Sequence, residues 1–147
     1  MDHLHLKFEP DDEWHGELFA TVTAEGFAGA GSAWFSTSEL REFASAVSAF
    51  PLSAECPPTL SGGLGGNATQ PPQTTMLLRL DQHDALGAVR ITVQLATEVW
   101  INQEQDLARS MTARFLVNYG YLGRFGTALS DLLDGHTSEA VLASTPA

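Results

Sequence analysis

The sequence has almost no lysine, almost no cysteine and no long apolar run. Lys7 is the only lysine; with six arginines it makes seven bases against 18 acids, a net charge of −11 at pH 7. Nucleic acid and anionic lipid are held by Lys and Arg that neutralise phosphate charge, so neither is expected as a partner of so anionic a surface. A basic protein is the partner such a surface would draw in, at a rate that falls with added salt. Cys56 is the single cysteine and cannot form an intrachain disulfide, which fits a reducing, cytoplasmic setting. Nothing in the residues around it marks it as a reactive cysteine. No stretch has the length of a signal-peptide core or of a membrane span, so the protein is expected to be cytoplasmic.

What the chain does have is a globular composition, with 44% hydrophobic and 17% charged residues over 147 positions, enough for one domain with one core. Leu4, Leu6 and Phe8 alternate with His3, His5 and Lys7, the period of a half-buried strand that Pro10 ends. Leu18, Ala20 and Val22 alternate with Phe19, Thr21 and Thr23 in a second strand. In a third, Phe27, Gly29, Gly31, Ala33 and Phe35 share one parity and Trp34 points the other way. The small residues of that third strand allow close approach, and the following helix is expected to be what approaches.

Ser36 and Glu39 have the spacing of a capping box, and Leu40, Phe43, Ala44, Val47 and Phe50 form one apolar stripe up to Pro51. After a proline-broken connection, "TLSG" allows a short strand and "GGLGGNATQPPQ" reads as a loop. "TTMLLRLDQHD" and "GAVRITVQLATEV" form a hairpin, and "MTARFLV" adds a further antiparallel strand. Leu122, Phe125, Leu129, Leu132 and Leu133 fall at helical spacing before Gly135. Gly120, Gly123 and Gly126 imply either a late helix start or helix turns that touch the sheet. The expected fold is α+β: residues 1–135 as a single domain with one antiparallel sheet of about six or seven strands and two helices on one face. Residues 136–147 have no steady period and are expected to be a mobile tail.

Motifs that carry chemistry are sparse. His3 and His5 share a strand face, and zinc would want a third ligand, which His15 or the acids Asp11 and Asp12 could supply from the following turn. The competing reading is an ordinary wet edge strand followed by a polar turn. Asp81, His83 and Asp84 sit in a hairpin, where aspartates usually serve the turn. Ser32 lacks the G-x-S-x-G elbow, so no hydrolase triad can be assembled. Gly63, Gly65 and Ala68 spell G-x-G-x-x-A, but "TQPPQ" forbids the helix that would hold pyrophosphate. No cofactor is expected. Trp100, beside a polar segment with Glu104 and Asp106, and the acids Asp11, Asp12 and Glu13 are the candidate partner surface, since Trp is enriched in binding hot spots and acids steer basic partners.

The segments "GFAGAGSAWFSTSELREFASAVSAFPL", "LLRLDQHDALGAVRITVQLA" and "RFLVNYGYLGRFGTALSDLL" together resemble a broad group of small acidic bacterial proteins, some of them immunity proteins of the WapI type. The resemblance runs roughly from Leu4 to Leu133 and rests on apolar pattern, glycines and helix position; no catalytic or binding residue comes with it. It implies a cofactor-free binding protein that occludes a basic toxin domain. The leading expectation is thus a non-enzymatic protein acting by protein–protein contact. The alternative is a small-ligand or metal-binding protein, possibly an enzyme, built on His3, His5 and His15.

Overall fold

The computed structural model describes residues 2–64, 73–98 and 108–144. Strands β1 (His3–Pro10), β2 (His15–Ala24) and β3 (Phe27–Ser36) lead into helix α1 (Thr37–Ser48). Strands β4 (Thr59–Leu64), β5 (Gln73–Gln82), β6 (Ala88–Ala96) and β7 (Ser110–Asn118) then lead into α2 (Tyr119–Leu133) and a last strand, β8 (Ala140–Ala143). The α+β class and antiparallel pairing are as expected, but the strands form two four-stranded sheets, ordered β3-β2-β1-β8 and β4-β5-β6-β7, not one.

The reason for two sheets lies in β3. Its inward positions are Gly29, Gly31, Ala33 and Phe35, and the close approach they allow is to the second sheet. A methyl group on Gly31 would lie 3.4 Å from Leu95, and one on Gly62 would lie 2.5 Å from the Phe35 ring. Small residues on β3 therefore let one sheet cross close over the other. The edge of β3 is also tied down: the Thr75 hydroxyl donates to the Ser32 carbonyl at 2.6 Å. Sheet-to-sheet packing of this kind covers an edge that would otherwise invite pairing with another chain.

The capping box forms as expected. The Ser36 hydroxyl accepts from the Glu39 amide at 3.1 Å and the Glu39 carboxylate accepts from the Ser36 amide at 3.3 Å. Leu40, Phe43, Ala44 and Val47 are buried, whereas Phe50 lies past the helix end, 77% exposed, with its ring edge-on to Tyr119. Helix α2 runs through all three glycines. Its close approach is to α1, not to a sheet, because a side chain on Gly126 would collide with Ser48. An ion pair between Arg41 and Asp134 ties the two helices further. Gly135, at φ +77°, ends α2 in the left-handed conformation that glycine adopts without strain. The helix pair fills the interior that the sheets leave open, α1 against β3 and β4, and α2 against β1, β7 and β8.

The expected tail also differs. Ala140–Ala143 pairs antiparallel with β1, Leu142 opposite Leu4 and Val141 opposite His5, and Ala140 and Leu142 are buried in the core. Four residues are too few to show a period, but docking on β1 supplies the missing hydrogen bonds. A single continuous cluster of buried apolar side chains, from Leu4 to Leu142, joins both sheets and both helices. No helix among the described residues is long and apolar enough to cross a membrane.

Candidate functional site

The core consumes the inward face of each sheet, so any site must be built on what faces out. On the first sheet, pairing sets Glu9 opposite Glu17 and Glu17 opposite Trp34, a row across three strands. The next row holds Lys7, Phe19 and Ser32. Trp34 and Phe19 are therefore diagonal neighbours across β2 and β3, about 7–8 Å apart along the backbone. Both are open to solvent, at 45% and 38%, and Trp14, just before β2 at the same end, is 68% exposed.

The acidic turn between β1 and β2 belongs to this end. Asp12 folds it: one carboxylate oxygen accepts from the amides of Trp14 at 2.7 Å and His15 at 2.8 Å. Those two amides, Trp14 first, hold the Asp12 carboxyl below the usual carboxylate range, with a smaller contribution from the His15 ring. The Asp11 and Asp12 amides donate to the His15 carbonyl at 3.0 and 3.2 Å. The turn is also pinned to α1, since the Thr37 amide donates to the Trp14 carbonyl at 2.7 Å and its hydroxyl to the Glu13 carbonyl at 3.2 Å. Asp12 is spent on the turn, while Asp11 and Glu13 remain exposed on it. The Glu17 carboxylate is oriented by the Ser32 hydroxyl at 2.7 Å.

One end of the first sheet thus gathers three exposed aromatics and the acids Glu9, Asp11, Asp12, Glu13 and Glu17. Two adjacent glutamates facing each other destabilise a sheet, and exposed tryptophans gain nothing from water. A cationic partner surface would relieve both: it offsets the repulsion of Glu9 and Glu17 and desolvates the aromatic rings.

The expected histidine site is only partly assembled. His3 and His5 meet edge-on with ring centroids 4.8 Å apart, and His5 Nδ1 lies 3.4 Å from the Glu139 carboxylate. Beside them a depression of about 190 Å³ is lined by His5, Lys7, Phe19, Thr21 and Glu139. His15 is not part of this group. It sits six positions along β2 from Thr21, the partner of His5, a separation of about 20 Å at the rise of a strand. Its ring lies 3.5 Å from Asp12 instead. Among the described residues no group of three or more His, Cys, Asp or Glu is placed to hold a metal ion.

The other hairpin candidate is likewise taken apart. The Asp84 carboxylate accepts from the Leu86 amide at 2.8 Å and the Ala88 amide at 3.2 Å, which lowers its pKa, the Ala88 bond contributing most. Asp81 is bound to Arg90, not to His83. Trp100, Glu104 and Asp106 lie outside the described residues, as do positions 65–72 of the glycine-rich loop. What sequence reasoning missed is the pairing of Trp34 with Glu17 and the nearness of Phe19. The opposite parity of Trp34 was visible, but not that Trp34 and Phe19 stand exposed together on this face. No family model, curated protein or solved structure matches the chain significantly.

Proposed function

We propose that this protein acts by binding and not by catalysis, with the acidic, aromatic end of the first sheet as the surface that seats on a basic partner protein. The observation that carries the reading is the row Glu9, Glu17, Trp34 with Phe19 beside it, held on paired strands and next to a turn that hydrogen bonds fix to α1. Aromatic anchors on a rigid frame lose little entropy on binding, and the surrounding carboxylates set orientation and encounter rate. Neutralising a basic toxin domain in the cytoplasm, as an immunity protein does, is the form of this activity that best suits the charge.

The test begins with the gene beside the one encoding this chain. A basic product there, purified and mixed with this protein, should form a complex whose association slows as salt rises. Trp34→Ala should weaken it at least tenfold, the size of an ordinary hot-spot loss. An unaffected complex in a Trp14→Ala/Trp34→Ala variant would remove this surface from the reading.

A further inference from the structure

The outer face of the second sheet has the opposite electrostatic character. Across β4 to β7 the register places Thr59, Arg79, Thr92 and Arg114 in one row, with Ser61, Leu77, Gln94 and Thr112 in the next. Arg90 lies on the same face, opposite Asp81. Three of the seven bases in a chain of net charge −11 thus line one depression of about 400 Å³, and among the described residues Asp81 is the only acid lining it.

That acid is already used. Asp81 accepts two bonds from Arg90, at 2.6 Å from Nη2 and 3.3 Å from Nε, which leaves Arg90 neutralised and oriented. Arg79 and Arg114 are exposed, and among the described residues neither has an ion-pair or hydrogen-bond partner. They rise from one row, two strands apart, about 10 Å between backbones, with Thr92 between them. Two unpaired guanidinium groups on one short row repel each other. Among the described residues that line this depression with them, the single acid is Asp81, the one committed to Arg90.

We propose that this face is a binding site for a phosphate group, held between the guanidinium forks of Arg79 and Arg114 with the Thr92 and Thr112 hydroxyls completing its hydrogen bonds. The guanidinium plane matches a phosphate edge bidentately, and two forks with hydroxyls between them satisfy a doubly charged, four-oxygen anion better than a single carboxylate. The depression has the volume of a small-molecule site, and the overall negative charge opposes a polyanion, so the ligand is a small phosphate or phosphate monoester and not nucleic acid. The site lies on the opposite sheet from the acidic surface and does not depend on that reading.

Calorimetric titration of the full chain at low salt, with inorganic phosphate and separately with phenyl phosphate, tests it. Saturable binding of at least one is expected, weakened about 10-fold or more in Arg79→Gln and in Arg114→Gln. Arg124→Gln, at an arginine that lies over the Tyr121 ring, should leave the affinity unchanged. Tighter binding of the ester would identify an organic phosphate as the ligand; equal binding would identify free phosphate. Amide shifts of Thr92 and Thr112 in the unaltered protein give a second reading that needs no variant. The proposal is overturned by any of three results: no saturable binding of either probe at millimolar concentration, equal weakening by Arg124→Gln, or binding of a polyglutamate peptide alone.

Discussion

Thr75 of the second sheet donates its hydroxyl to the carbonyl of Ser32 in the first, at 2.6 Å, and among the described residues Thr75 is the one buried polar side chain. The bond joins two elements 43 positions apart and satisfies a backbone acceptor on the edge of β3. Thr75→Val keeps the volume and removes the donor. It should cost about 1 kcal/mol or somewhat more, because the carbonyl loses its partner away from water. In urea unfolding the midpoint should fall with the slope unchanged; an unmoved midpoint would show that the two sheets hold together without this bond.

Close approach of the sheets should be as sensitive to volume as to hydrogen bonding. Gly62→Ala places a methyl 2.5 Å from Phe35, whose ring is 2% exposed and has nowhere to go. A loss of about 1–3 kcal/mol is expected, and Phe35→Leu in the same chain should recover part of it. Strict additivity in that double-mutant cycle would mean the two positions are not in contact.

The last strand gives a contrast between neighbours. Leu142→Ala removes a side chain that is 1% exposed opposite Leu4 and should cost about 2–5 kcal/mol. Val141→Ala, at a position 39% exposed, should change stability by about 0.5 kcal/mol or less. Equal and small effects would return residues 140–143 to a mobile tail.

Two turn aspartates set an acid limb. Asp12 and Asp84 accept backbone amides that lower their pKa values in the folded chain below the ordinary 3.8. Their contribution is therefore complete above that ordinary value and is lost as pH falls through the lower, folded values. The difference in Tm between the natural protein and an Asp12→Ala/Asp84→Ala variant should be constant near neutrality and shrink below about pH 4. A gap that instead widened on acidification would contradict the assignment of these carboxyls as amide acceptors.

Much of the architecture is legible in particular residues. The alternation of Leu4 and Leu6 with His3 and His5, and the Ser36–Glu39 box, each specify a local conformation through contacts a few residues apart. Alternation identifies an inward face but not which layer covers it. Gly29 and Gly31 therefore signalled close packing without revealing that a second sheet does the packing. β8 was hidden for a related reason: "AVLA" acquires its strand pairing only from β1, more than a hundred residues earlier. On the candidate surface, Asp11, Asp12 and Glu13 were readable as a turn, and the parity of Trp34 was plain. Its place beside Glu17 and Phe19 depends on strand register, which no local pattern specifies.

The functional account rests on the acidic, aromatic end of the first sheet, and the indole signals of Trp14 and Trp34 report on it directly. Titrating the labelled protein with the proposed basic partner should shift or broaden the Trp34 and Trp14 indole resonances at low salt, with recovery as salt is raised. A complex that forms while both signals stay in place would contradict the account.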